Sequence, residues 1–254
     1  MTAVHTVHPF NVSFVEARRI QEELRTRVDI REDAGRLESF TLIGGVDVAF
    51  IGNPHDVGAG NARVAKPAKN NAVMAIAAAV VYDRLRRIVV ETAVTTAPVY
   101  FSYVPGYLSF REGPAVIAVI TKLTVPPDVI IYDGCGIMHP RGLGLASHMA
   151  VLTGIPGVGC AKSRLCGDYE EPGVKKGSWT PVFLKGVVVG SCLRTRDGVR
   201  SVFVSPGSGV GVDCARELVL STADRYRLPE PTRIAHNTVT AAKREKPAGG
   251  IYYG

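Results

Sequence analysis

The N-terminal part of the chain carries one helical pattern followed by three strand patterns. Apolar residues recur at helical spacing over residues 13–28, and Ser13 and Glu16 stand at the positions of a capping box, so we predict an amphipathic helix there. Runs rich in alanine and β-branched residues then predict three antiparallel strands with short connections, at residues 41–52, 71–83 and 87–98. Residues 52–71 are rich in Gly, Asn, Pro and charge and predict a loop insertion.

Beyond residue 113 the pattern changes to alternating helices and buried strands. Helices are predicted at residues 113–124, 143–154, 213–226 and 229–245, and Asp213 is placed to cap the third of these. Strands are predicted at residues 128–134, 155–163, within 178–195, and at 201–207. The chain therefore predicts an α/β fold: one mixed sheet of three antiparallel strands followed by alternating helices and parallel strands, flanked by helices. That is the pattern of a ribonuclease H-like domain.

Composition limits the class of protein. The chain has 254 residues, of which 46% are hydrophobic and 21% charged, which suits a single domain, predicted over residues 1–246 with a flexible tail at 247–254. The longest apolar run, residues 72–82, is far shorter than the roughly 20 residues of a membrane helix. With no secretory signal visible, we expect a soluble cytoplasmic protein that does not enter a membrane.

The net charge indicates the class of partner, and the cysteine spacing bears on disulfides and zinc sites. The formal net charge is +7 and the pI about 9.3, which favours phosphate-rich partners, nucleic acid first. The five cysteines form no C-x-x-C pair, so neither a disulfide framework nor a zinc site is expected.

Three acidic residues stand where a mixed sheet could bring them together. Asp47 lies inside the first apolar strand, Asp133 ends the strand at 128–134, and Glu112 opens the helix before it. Each has a plain structural alternative: a turn cap for Asp47, a turn residue before Gly134 for Asp133, and a favourable first-turn acid for Glu112. Taken together on neighbouring strands, they favour a Mg²⁺ site that polarises a phosphodiester.

Basic and imidazole side chains follow the same strand ends. His139 lies in the loop after Asp133, where burial in the core is not expected. Its ring would orient a phosphate, bond to a base or take part in proton transfer. Lys162 follows the next buried strand and would place a compact positive charge at a phosphate, although a solvated lysine is the alternative. His236 on the last helix faces either the site or solvent, and His148 is expected to pack within its helix.

Six segments together resemble the endonuclease V family of the ribonuclease H-like superfamily. They are GVDVAF, SYVPGYLSFREGP, VIIYDGCGIMHPRGLGLASH, IPGVGCAKSRLCG, FVSPG and LPEPTRIAH, in family order over about residues 10 to 245. The resemblance implies an enzyme that recognises deoxyinosine and hydrolyses the second phosphodiester bond 3′ to it, leaving 3′-hydroxyl and 5′-phosphate ends. It also implies Mg²⁺ as the cofactor, with Mn²⁺ able to substitute.

The same resemblance assigns roles to individual residues. Asp47, Asp133 and Glu112 match the acidic metal-binding residues, Lys162 matches the active-site lysine, and His236 matches a histidine near the metal in some members. A strand-separating wedge is implied at Tyr103, Val104 and Pro105. An inosine pocket is expected from Gly106, Leu108, Gly134, Gly136, His139 and Leu165.

Three departures from the family pattern bear on these roles. Ser102 stands where a proline often precedes the wedge tyrosine, which predicts a less rigid corner. Ser208 stands where a histidine commonly follows FVSPG, so any base or phosphate contact by that histidine is absent. The 52–71 loop is longer than in compact members and would be an extra nucleic-acid contact or a spacer.

Two other functions remain open at this stage. One is an inosine-specific endoribonuclease that acts on single-stranded RNA, and the other is a binder of inosine or of nucleic-acid junctions without catalysis. The first choice is a nuclease that acts as a monomer on single- or double-stranded DNA containing deoxyinosine.

Overall fold

The computed structural model describes residues 8–30, 36–52 and 73–245. The predicted loop insertion at 52–71, apart from Gly52, and the predicted tail at 247–254 lie outside these described residues. Helices run over α1 (Phe14–Arg25), α2 (Leu108–Ile120), α3 (Leu145–Thr153), α4 (Val212–Thr222) and α5 (Glu230–Glu245), with a short 3-10 helix at Arg36–Ser39. Strands are β1 (Leu42–Ile51), β2 (Met74–Asp83), β3 (Ile88–Pro98), β4 (Val129–Tyr132), β5 (Gly157–Ala161), β6 (Trp179–Leu184), β7 (Val187–Leu193) and β8 (Val202–Pro206).

The strands form one eight-stranded sheet in the order β3-β2-β1-β4-β5-β8-β7-β6. The first three strands are an antiparallel meander, while β4 pairs in parallel with both β1 and β5. The strands β8, β7 and β6 then continue the sheet antiparallel from β5. This arrangement confirms the predicted ribonuclease H-like mixed sheet, and it places β1 directly beside β4 as expected.

Helices cover both faces of the sheet because the central strands are apolar on both sides. One face packs against α1, α2 and α3 around Ile130 and Tyr132, which are fully buried. The other face packs against α4 and α5 through Ile131, Leu218 and Val239, which are also buried. Burial on both faces is typical of α/β sheets, and it fixes the strand ends where a site can form.

Two helix starts differ from the sequence prediction. The second helix begins at Leu108 rather than residue 113, so Glu112 lies one turn inside α2 and does not open it. The cap of α4 is Gly211 and makes no side-chain cap hydrogen bond, while Asp213 lies in the first turn and pairs with Arg216. By contrast, Ser13 does cap α1 by accepting the Glu16 N–H at 3.2 Å.

The contact between α5 and β1 is unusually close. A Cβ added at Gly45 would lie 2.2 Å from the backbone carbon of Pro231, so only glycine allows α5 to lie directly on the strand. This packing carries the exposed His236 toward Asp47. No helix in the described ranges is long and apolar enough to cross a membrane.

Candidate active site

A cavity of about 460 Å³ opens where β1, β4 and β5 meet the start of α2 and the middle of α5. Its volume is that of a small-ligand site. Acidic and basic side chains line one end, and a projecting turn with apolar residues lines the other. The predicted residues on its wall are Asp47, Tyr103, Val104, Pro105, Gly106, Leu108, Glu112, Asp133, Gly134, His139, Lys162, Leu165 and His236.

Asp47 projects from β1 and bonds to the last helix. Its Oδ2 accepts a hydrogen bond from His236 Nδ1 at 2.7 Å. Burial raises the pKa of Asp47, and the negative charge of Asp133 adds to that rise, while the bond to His236 opposes it. His236 therefore faces the site, which resolves the alternative that the sequence left open.

Asp133 and Lys162 form an ion pair across two neighbouring parallel strands. Asp133 directly follows β4 and Lys162 directly follows β5, and the distance from Lys162 Nζ to Asp133 Oδ2 is 2.5 Å. Burial lowers the pKa of Lys162, but the bond to Asp133 and the charges of Asp133 and Asp47 outweigh it, so the pKa is raised overall. Lys162 is thus an exposed strand-end lysine whose charge is paired with Asp133.

Glu112 reaches the same end of the cavity from the second turn of α2. Burial raises the pKa of its carboxyl group well above the ordinary value, and the charges of Asp47 and Asp133 raise it further against the opposing Arg111. The three carboxyl groups are thus close enough to repel one another. Such repulsion favours binding of a cation between them.

The donor chemistry of this end fits a divalent metal ion. Three carboxylates supply the oxygen ligands that Mg²⁺ and similar hard cations prefer. In the described ranges, however, no three His, Cys, Asp or Glu side chains already form a metal-ligand cluster. Asp47 and Asp133 instead bond to His236 and Lys162, so metal binding would need these oxygens to exchange partners.

The opposite end of the cavity is the predicted wedge, Tyr103 to Pro105. Tyr103 is 65% exposed, and the Tyr107 N–H closes the turn by donating to the Val104 carbonyl at 3.0 Å. Gly106 directly follows the wedge and has a φ of +84°, in the region that favours glycine. Leu108 and Leu165 contribute apolar wall to the same cavity.

Two residues predicted for the inosine pocket have different surroundings from those expected. His139 lines the cavity, but it is buried and both of its ring nitrogens bond to the protein, to the Gly106 carbonyl at 2.9 Å and the Arg141 N–H at 3.2 Å. Burial lowers its pKa to about 4, so the ring is neutral. Gly136 packs against the Pro206 carbonyl, where a Cβ would lie 1.9 Å from the oxygen, and it lies behind the cavity wall.

The structure adds three polar residues that the sequence did not single out. Gln21 on α1 is 1% exposed and, like Arg141, bonds to Gly106. Arg227 donates to the Lys162 carbonyl at 2.7 Å and to the Ser201 carbonyl at 2.6 Å. A glutamine on the apolar stripe of an amphipathic helix was a signal for Gln21. No comparable sequence signal marked Arg227.

Two other residues considered in the sequence, His148 and Ser208, are not among the residues that line this cavity. His148 is buried within α3 as expected, and it bonds to Ser109 Oγ at 2.8 Å and to His8 Nε2 at 2.6 Å. Ser208 accepts the Asp29 N–H at 3.0 Å at a separate surface away from the carboxylates.

The sheet order and the acidic end of the cavity together define a nuclease of the ribonuclease H-like class. A profile of the endonuclease V family matches residues 22–237. The endonuclease V of Roseiflexus sp. (strain RS-1) is 42% identical over 227 residues, which are 89% of this chain and 92% of that protein. The chain belongs to the endonuclease V family, whose members are metal-dependent DNA-repair endonucleases.

Solved structures agree with this assignment. The endonuclease V of Streptomyces avermitilis superposes with a TM-score of 0.80 at 38% identity, covering 96% of this chain and 99% of that one. An endonuclease V of Ciona intestinalis, solved with a 24mer DNA containing an inosine followed by a ribo-adenosine, has a TM-score of 0.73 at 24% identity. That alignment covers 91% of this chain and 98% of the other, and at this identity it supports the fold alone.

Proposed function

We propose that this protein recognises deoxyinosine in DNA and hydrolyses the second phosphodiester bond 3′ to it, leaving 3′-hydroxyl and 5′-phosphate ends. Family membership supports the nuclease activity, and the resemblance of the chain's motifs to that family implies deoxyinosine as the lesion. The net charge of +7 supports a phosphate-rich partner. The proposed substrate is single- or double-stranded DNA, cut by a monomer in the cytoplasm.

The observation that carries this proposal is the division of a single cavity into two chemically different ends. Asp47, Glu112, Asp133 and Lys162 interact with one another, and they line the same cavity as the wedge. A base displaced at the wedge would therefore lie beside a phosphate held at the acidic end. Recognition and cleavage would then act on neighbouring nucleotides.

Phosphodiester hydrolysis requires charge neutralisation at the acidic end. Asp47, Asp133 and Glu112 would hold Mg²⁺, or Mn²⁺ in its place, and the ion when bound would activate water and stabilise the leaving oxygen. Lys162 contributes a positive charge beside the phosphate, held in place by Arg227 through its backbone. His236 orients the Asp47 carboxylate through its 2.7 Å bond.

Recognition of the lesion requires that the base leave the stack. Displacing a base costs a few kcal/mol, and that cost is reduced when a side chain fills the gap. Tyr103 and Val104 project from the wedge and would fill it. The displaced hypoxanthine would lie against Leu108, Leu165 and the backbone of Gly106 and Gly134, where glycine allows close approach of backbone groups.

A cleavage assay on defined oligonucleotides tests the function. Wild type is expected to cut a DNA strand carrying one deoxyinosine with Mg²⁺ present, and Asp47→Ala is expected to lose about 10²-fold or more of that rate. Asp213→Ala serves as the matched control, because this acid lies on α4 and is exposed. Equal cutting by wild type and Asp47→Ala would refute the metal assignment.

The same assay separates the alternatives. Single-stranded RNA with one inosine is compared with DNA of the same sequence, and a strong preference for RNA would replace the DNA proposal with the endoribonuclease. Tight binding without cleavage in Mn²⁺ would instead indicate a non-catalytic inosine binder.

A further inference from the structure

The carbonyl oxygen of Gly106, which directly follows the wedge, accepts hydrogen bonds from three side chains. Gln21 Nε2 donates at 2.9 Å, Arg141 Nη2 at 2.7 Å and His139 Nε2 at 2.9 Å. Turn carbonyls at a protein surface commonly bond to water or to one partner. Three donors on a single turn oxygen, one from α1 and two from the loop after β4, are a dedicated anchor.

The three donors also hold one another. Arg141 Nε donates to Gln21 Oε1 at 2.6 Å, and the Arg141 backbone N–H donates to His139 Nδ1 at 3.2 Å. Because Nδ1 accepts, the proton of the neutral His139 ring lies on Nε2 and points at Gly106. The Arg141 guanidinium also lies 4.3 Å from the centroid of the Tyr107 ring, just beyond the wedge. The donors therefore form a closed network around the turn.

The backbone of Gly106 is shaped to admit this network. Its φ of +84° is one that glycine adopts without strain. A Cβ at this position would lie 3.1 Å from Arg141 Nη2 and 3.4 Å from His139 Nε2, so a side chain would crowd two of the three donors. Both the conformation and the space favour glycine here.

We propose that Gln21, His139 and Arg141 are positioning residues that hold the wedge in its strand-separating orientation by anchoring the Gly106 carbonyl. The inference rests on the proposed function, because it assigns these residues to the wedge of that same site. They act through the wedge and not on the reacting phosphate, and His139 takes this role in place of a direct contact to the base.

The anchor makes a prediction that separates two substrates. In duplex DNA the wedge must hold its position against the re-pairing of two strands, whereas a single strand has no partner to exclude. Loss of the anchor is therefore expected to impair cleavage of duplex deoxyinosine DNA far more than cleavage of the same strand alone. A general loss of folding or of chemistry would lower both rates equally.

The variants are chosen to remove individual bonds. Gln21→Met keeps the length of the side chain and removes the bonds to Gly106, Leu143 and Arg141. Gln21→Glu keeps an acceptor for Arg141 and removes the donor that the Gly106 and Leu143 carbonyls share. For each we expect kcat/KM on the duplex to fall about 10-fold relative to wild type, with the single-strand value changed by less than about threefold.

Leu24→Ala is the matched control. Leu24 is a buried residue of the same helix, 5% exposed, and its aliphatic side chain cannot form a hydrogen bond to Gly106. This variant weakens the packing of α1 without touching the anchor, so its two rates are expected to fall in proportion. Thermal melts of all variants show how much folded protein each assay contains, and Gln21→Glu decides if Gln21→Met does not fold.

A binding signal provides a second readout that does not need cleavage. The fluorescence of 2-aminopurine beside the deoxyinosine rises when the bases unstack, and with metal-free protein this rise is expected to be smaller for both Gln21 variants on the duplex. Unchanged duplex-to-single-strand ratios in folded Gln21 variants would overturn the anchor. Absence of cleavage of either substrate by wild type would instead overturn the proposed function.

Discussion

The two ends of the cavity differ in how their polar groups are compensated. At the acidic end, like charges come together from separate elements, and the burial and mutual repulsion that raise the pKa of Glu112 make the cluster unfavourable by itself. At the wedge end, a turn is braced by three hydrogen bonds to one carbonyl, and its internal partners are satisfied. The acidic end is thus suited to bind a cation, and the wedge end to stay rigid.

This difference shows why stability and activity should separate in this molecule. Removing charge at the acidic end relieves repulsion while it removes chemistry, as is common where a site is built at the expense of stability. Removing a bond at the wedge end leaves a buried donor or acceptor unsatisfied, which costs stability and geometry together.

The largest effect is expected from Glu112→Gln. Cleavage should fall by about 10²-fold or more on single-stranded and duplex substrates alike, because the charge at the acidic end serves both. The melting temperature of the metal-free variant should equal or exceed that of wild type, since the repulsion from Asp47 and Asp133 is gone. A variant that melts clearly lower than wild type would show that Glu112 stabilises the fold and would undo the contrast.

An intermediate effect is expected on acidification, through the histidines near the wedge end. Burial holds the pKa of His148 well below its usual value of 6.5 and lowers that of His139 to about 4. Both rings are neutral in the fold, so the unfolded chain binds more protons below pH 6.5. Their contribution is fully present above that pH and is lost as pH falls toward about 4, by up to about 1.4 kcal/mol per pH unit for each ring.

His148→Gln tests this dependence directly. Glutamine stays neutral and can both donate and accept, so the variant should lose less stability than wild type between about pH 7 and about pH 5. Urea unfolding at the two pH values measures the difference. If wild type and variant lose the same free energy of unfolding, His148 is not one of the groups that resist protonation.

The smallest effect is expected from Ser102→Pro. Proline would stiffen the entry to the wedge, but the anchor at Gly106 already limits its motion. Cleavage of duplex deoxyinosine DNA should therefore be unchanged or improved, by no more than about threefold. A large loss would mean that residue 102 contributes more to the corner than stiffness, and comparison with Gln21→Met would show whether the two changes act on the same motion.

The elements that the sequence predicted well are those with a strong local pattern. The three antiparallel strands, the parallel strands β4 and β5, and the capped α1 follow from periodicity and a local cap, which need only neighbouring residues. The start of α2 was wrong because the Pro-Gly turn and the Gly113-Pro114 pair obscured helical residues from Leu108 onward. The predicted cap of α4 was wrong because the helix begins at Val212, so Asp213 lies inside its first turn and accepts a hydrogen bond from Arg216.

The candidate site shows the same division at the level of side chains. Residue type and strand position were enough to nominate Asp47, Asp133 and Lys162, because strand ends of a mixed sheet converge. The pairing of Lys162 with Asp133 depends on the order of β4 and β5 in space. The part played by Gln21 could not be predicted, since it lies 85 residues from the carbonyl that it contacts.

By itself, the sequence determined the class of fold, the family and the acidic residues that line the cavity, because these depend on residue types in ordered local segments. Only the tertiary structure decided which hydrogen bonds those residues make. It joined the His139 ring to the Gly106 carbonyl, and it placed His236 on Asp47 through the close contact of α5 with Gly45. Such choices depend on distances between elements far apart in the chain, which local sequence patterns do not encode.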